Sequence, residues 1–117
     1  MNQEHIERWH IKRWVLLVVS SAQRERATEM VMAPAPGGGT SIRYRIEGTW
    51  QDWAPAPGII WPRVASELGG LAGIRDAPFP KEGIIYVAYS GVRVRWQVRM
   101  TSPDTGCILQ NLGSEMV

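Results

Sequence analysis

The stretch Val92-Arg93-Val94-Arg95-Trp96-Gln97-Val98-Arg99-Met100 alternates apolar and polar residues without a break. A strand sends successive side chains to opposite faces, so this period of two puts Val92, Val94, Trp96, Val98 and Met100 in a core. Arg93, Arg95, Gln97 and Arg99 then line the other side. Just upstream, Ser90-Gly91 reads as a tight hairpin turn, preceded by a strand of about six residues that opens at Gly83. Just downstream, Ser102-Pro103-Asp104 turns the chain into a short last strand from Cys107 to Leu112.

Further upstream, Ile42, Tyr44, Ile46 and Trp50 share one parity and Arg43, Arg45, Glu47 and Gln51 the other, which predicts one half-buried strand from Thr40 to Trp53. A short apolar strand from Thr28 to Ala33 precedes it, separated by the turn segment Pro34-Ala35-Pro36-Gly37-Gly38-Gly39. Ala54-Pro55-Ala56-Pro57 stops the long strand, because proline supplies no ladder donor. A helix is predicted from Ile59 to Leu71, with Pro62 in its first turn and Ile60, Val64, Leu68 and Leu71 as its buried stripe; Gly69, Gly70 and Gly73 mark its end. Another helix is predicted over residues 2 to 26, capped by Asn2, with Ile6, Trp9, Trp14 or Arg13, Leu17 and Val18 recurring at three- and four-residue steps. Helix, two strands, helix, three strands is the order of an α+β fold: an antiparallel β-sheet with two helices packed on one face. At 117 residues the chain holds one core, so residues 1 to 117 form a single domain.

Composition narrows the function classes. With 44% hydrophobic and 21% charged residues the chain matches neither a disordered segment nor a membrane protein. Its longest apolar run, Trp14 to Val19, is far short of the roughly 20 residues of a spanning helix, so no membrane span is expected. Glu4 and Glu7 ahead of that run argue against a secretory leader. Cys107 is the only cysteine and cannot form an internal disulfide, which makes cytoplasmic the expected location. A net charge of +2 is too weak to argue for nucleic acid.

No residue set completes a catalytic or metal constellation. Gly37-Gly38-Gly39-Thr40-Ser41 lacks the lysine and following helix of a phosphate loop, and reads as a hairpin turn. His5 and His10 are five apart, which does not align two imidazoles on a helix face. Cys107 lies in an apolar strand without a base and reads as an inert thiol. Glu47 and Asp52, five positions apart on the expected strand, fall on opposite faces. Arg43, Arg45, Arg93, Arg95 and Arg99 are what remain. If their strands lie in one sheet with that side outward, their common polar parity predicts one guanidinium-rich face, suited to phosphates or carboxylates, or else simply solvated. Tyr44 and Trp96 have the inward parity and offer no stacking platform, which makes RNA binding a weak reading.

Ala27-Thr28-Glu29-Met30-Val31-Met32 and Ile42-Arg43-Tyr44-Arg45-Ile46-Glu47-Gly48, then Leu71-Ala72-Gly73-Ile74, Pro80-Lys81-Glu82-Gly83, Arg93-Val94-Arg95 and Arg99-Met100-Thr101, occur in an order and spacing that resemble one family. They are similar to segments of the domain that precedes the motor in type II secretion and type IV pilus assembly ATPases, over about residues 10 to 112. The resemblance implies a PAS-like fold and arginines, matching Arg43, Arg45, Arg93, Arg95 or Arg99, that face nucleotide or an adjoining subunit. Val31 replaces the family's histidine and Gly106-Cys107 its glycine-glutamate pair, and the connection before Pro80 is shorter. The 117 residues contain no phosphate loop and no acidic Mg²⁺ box, so the expectation is a stand-alone, diverged copy that is not an enzyme. It would act as an interaction or assembly module without a cofactor, through a protein partner or self-association; the alternative is a small-ligand or nucleotide sensor. Trp9, Trp53 and Trp61, near element ends, are candidate interface anchors.

Overall fold

Eight elements follow one another in the computed structural model, which describes residues 3–53, 58–89 and 91–116. They are α1 (Gln3–Arg24), β1 (Glu29–Pro34), β2 (Thr40–Ile46), β3 (Thr49–Asp52), α2 (Trp61–Leu71), β4 (Lys81–Tyr89), β5 (Val92–Met100) and β6 (Cys107–Met116). Asn2, Ala54 to Pro57, Ser90 and the side chains of His5, Ile6 and Trp9 lie outside the described residues. All six strands join one antiparallel sheet in the order β3-β2-β1-β6-β5-β4, and both helices cover the same face, giving an α+β fold. No helix among the described residues is long and apolar enough to cross a membrane.

The alternation in β5 is realised: Val94, Trp96, Val98 and Met100 are buried while Arg93 and Arg99 are exposed. Met30 and Met32 of β1, Ile42 and Tyr44 of β2, Ile85 and Val87 of β4, and Cys107 and Leu109 of β6 extend the same buried face. The Tyr44 hydroxyl donates to Val18 O at 3.4 Å, tying α1 to β2, and burial pushes its pKa upward. Close packing of α2 on β4 depends on Gly83, where a Cβ would lie 2.6 Å from the Ala72 carbonyl oxygen.

Several expectations are corrected. The strand expected from Thr40 to Trp53 is a hairpin, because Glu47 and Gly48 both take positive φ (50° and 80°) and form the two-residue turn of type I′. The reversal carries Trp50 and Asp52 back along β2, opposite Arg45 and Arg43, on the helix-free face. Trp50 therefore does not share the burial of Ile42 and Tyr44. On α1 the buried stripe is Ile11, Val15, Val18, Val19 and Ala22, whereas Leu17 is 55% exposed. α2 begins at Trp61, which is buried with its Nε1 donating to Pro103 O at 3.0 Å, so Trp61 is a core residue and not an interface anchor. Ile60 precedes the helix and is exposed. Gly69 and Gly70 lie within α2; only Gly73 follows it. β4 is nine residues long, and β6 runs on to Met116 past a bulge at Leu112.

Candidate interaction face

The helix-free face of the sheet gathers all five singled-out arginines. Register pairs residues of the same face: Arg43 lies opposite Val31 and Asp52, and Arg45 opposite Glu29 and Trp50. Across the sheet, Arg93 lies opposite Ala88 and Glu115, Arg95 opposite Tyr86 and Gly113, and Arg99 opposite Glu82 and Ile108. The common parity of Arg43, Arg45, Arg93, Arg95 and Arg99 thus becomes a common surface, though the two groups stand at opposite ends of it with β1 and β6 between.

The register also brings each end its own acids. Arg43 Nε pairs with Asp52 at 3.2 Å, Arg45 Nη1 with Glu29 at 3.1 Å and Arg99 Nε with Glu82 at 3.5 Å. Arg93 donates to Glu115 Oε1 from both Nε (2.8 Å) and Nη2. That hydrogen bond holds the Glu115 carboxyl below its usual range. Arg95 is the only one of the five without an ion pair among the described residues; its Nη2 donates to Leu112 O at 3.5 Å, and its buried Nε has no partner. Two arginines also stack on rings: Arg43 on Trp50 at 5.6 Å and Arg93 on Tyr86 at 4.8 Å. A bound phosphate would have to compete with these carboxylates, so the face is less electropositive than five arginines imply.

What the sequence reading missed is the apolar content of this face. Tyr86 (54%) and Ile108 (48%) are exposed, and Val31 and Ile84 are partly so. Val31 and Ile108 are directly paired between the two arginine groups. The parity of Ile84 and Tyr86 within β4 was a usable signal, since both alternate with the buried Ile85 and Val87. The result is a small apolar patch, Val31 and Ile108, between the two arginine groups, with Ile84 and Tyr86 forming a second one on the edge strand beyond the β5 arginines.

Elsewhere, His10 is exposed, and no group of three metal-ligating side chains occurs among the described residues. Cys107 is buried, and desolvation pushes its thiol up to about 12, so no thiolate nucleophile exists near neutral pH. Trp53 packs edge-on against Tyr44 at 5.1 Å. A groove of about 340 Å³ opens beside Trp61, Arg75, Phe79 and Lys81, but Lys81 Nζ is already engaged with Arg75 O at 3.1 Å and the Phe79 ring. No protein-family model matches the chain, and no curated protein matches it.

Proposed function

We propose that this chain is a non-catalytic interaction and assembly module working in the cytoplasm, a diverged stand-alone counterpart of the PAS-like pre-motor domain of secretion and pilus assembly ATPases. The observation that carries the reading is the helix-free sheet face, where Ile108 and Tyr86 are exposed among arginines most of which already hold carboxylates. Protein interfaces are enriched in arginine, tyrosine and apolar side chains together, and this surface sets exposed Ile108 and Tyr86 beside its arginines. A phosphate site would instead leave its guanidinium groups uncompensated. Met30, Met32, Leu68 and Trp96 fill the layer between sheet and helices, which favours protein contact over a small ligand or nucleotide held there.

The test is calorimetric titration of the chain with a purified secretion-ATPase motor domain from the same organism. Binding is expected, and the variant Arg95→Glu with Ile108→Asp should lose it while keeping its circular dichroism spectrum, since both side chains belong to the open face. Absence of binding, or equal binding by the folded double variant, would defeat the proposal.

A further inference from the structure

The edge of the sheet at β4 carries recognition chemistry that the arginine face does not use. Along an antiparallel strand, a residue whose N–H and C=O point to one neighbour is followed by a residue whose groups point to the other. In β6 the Asn111 N–H donates to Thr28 O at 2.9 Å, so Asn111, and with it Leu109 and Cys107, turns toward β1. Ile108 and Gln110 therefore bond to Arg99 and Gln97 of β5. Trp96, Val98 and Met100 are left to bond to Ile85, Gly83 and Lys81 of β4. Glu82, Ile84, Tyr86 and Ala88 then direct N–H and C=O out of the sheet, where no hydrogen bond reaches them among the described residues.

Natural sheets blunt such an edge with short strands, prolines, bulges or charges. The opposite edge is blunted: β3 has four residues and ends at Asp52. Beyond Lys81 and Glu82 at its start, β4 has no such protection. Its nine residues pair with β5 in unbroken register, it contains no proline, and it carries no charge from Gly83 to Tyr89. Only an extended backbone matches the spacing of those outward groups, so the fitting occupant is another strand.

We propose that this strand is β4 of a second copy of the chain, paired antiparallel about a two-fold axis at Ile85. In that register Ile84 lies opposite the partner's Tyr86 and Glu82 opposite the partner's Ala88, each pair occurring twice. All the outward N–H and C=O groups are then bonded, two aromatic–β-branched pairs form on the open face, and no like charges meet. Moving the axis to Ile84 sets Ala88 against the partner's Pro80, which has no N–H; moving it to Tyr86 carries Glu82 past the end of the partner strand. The pairing draws on the strand edge and on Ile84 and Tyr86 beside it, not on Arg95 or Ile108, so it can be tested apart from binding at the middle of the open face.

Sedimentation equilibrium and amide hydrogen exchange of the full chain, over a range of concentrations, test it. A monomer–dimer equilibrium is expected. The Ile84, Tyr86 and Ala88 amides should exchange more slowly as concentration rises, while those of Gly83, Ile85 and Val87, already bonded to β5, stay protected throughout. Ile84→Pro removes an N–H that β5 does not use and should give a folded monomer. Tyr86→Glu sets a charge opposite the partner's Ile84 and should lose the dimer even if the proline variant fails to fold. A chain that stays monomeric at every soluble concentration overturns the proposal. So does a dimer that survives in a folded variant, or one whose concentration-dependent protection lies on α1 instead of β4.

Discussion

Replacing Trp96 probes the orientation of the sheet and the polarity of its core together. The residue is fully buried at the middle of β5, opposite Ile85 of β4 and Asn111 of β6. Its indole N–H has no hydrogen-bond partner among the described residues. Trp96→Ala discards the packing of the ring and leaves a cavity, which should cost about 3–5 kcal/mol. Trp96→Phe separates the two contributions. It forfeits roughly two methylene equivalents of burial, about 1–2 kcal/mol. It also removes an unpaired buried donor whose desolvation costs about 1–3 kcal/mol. The terms oppose each other, so the net change for Phe should lie between a loss of about 1 kcal/mol and a gain of about 2 kcal/mol. Urea unfolding followed by far-ultraviolet circular dichroism gives both numbers from the midpoint shift at constant m. An Ala variant that loses less than about 1 kcal/mol would mean that the indole lies outside the core. A Phe variant as damaged as the Ala variant would mean that the N–H is bonded in the folded protein.

Four further outcomes are expected. Glu47 holds a left-handed conformation at the first position of a type I′ turn, so Glu47→Asn should raise stability by about 0.5–1 kcal/mol in thermal melts, and a loss would contradict the turn assignment. Because Arg93 depresses the pKa of Glu115 below 4.5, the unfolded chain takes up that proton more readily; the contribution is present above pH about 4.5 and is lost as pH falls through the folded value. Glu115→Gln should therefore flatten stability across that acid window, and an unchanged pH profile would deny the pair any role. The Cys107 thiol should react with a thiol reagent at neutral pH only as fast as the protein opens, and immediate labelling in native buffer would contradict its burial. ATP, pyrophosphate and short RNA should leave the melting midpoint unchanged at low salt and release no phosphate, since carboxylates already occupy Arg43, Arg45, Arg93 and Arg99. A shift that disappears in Arg93→Gln/Arg95→Gln would restore the anion-binding reading.

Where alternation was strict, the sequence could be read directly. β5 shows this best, since a period of two admits only one assignment of faces once one side must be buried. Where apolar residues are continuous, as from Trp14 to Val19, periodicity cannot choose a stripe; packing against the sheet selected Val15, Val18 and Val19 and left Leu17 outside. The β2–β3 hairpin escaped notice because its turn is Glu47-Gly48 instead of the usual Asn-Gly, and the glutamate tolerates an unfavourable φ that the surrounding ladder imposes. Gly69 and Gly70 read as a helix end, yet the helix continues through them with Arg75 folded back to donate to Ser66 O at 3.0 Å.

The sequence by itself determined the α+β class, the buried face of β5 and the polar parity of the arginines within each strand, because side-chain parity is a local property of an extended chain. Only the tertiary structure decided what those arginines are. Glu29 meets Arg45 from 16 positions away and Glu115 meets Arg93 from 22, and both pairings arise from strand register, which a single strand cannot encode. Strand order is likewise a matter of the whole chain: it leaves β4 at a sheet edge, where the alternation of its backbone groups leaves Glu82, Ile84, Tyr86 and Ala88 facing outward.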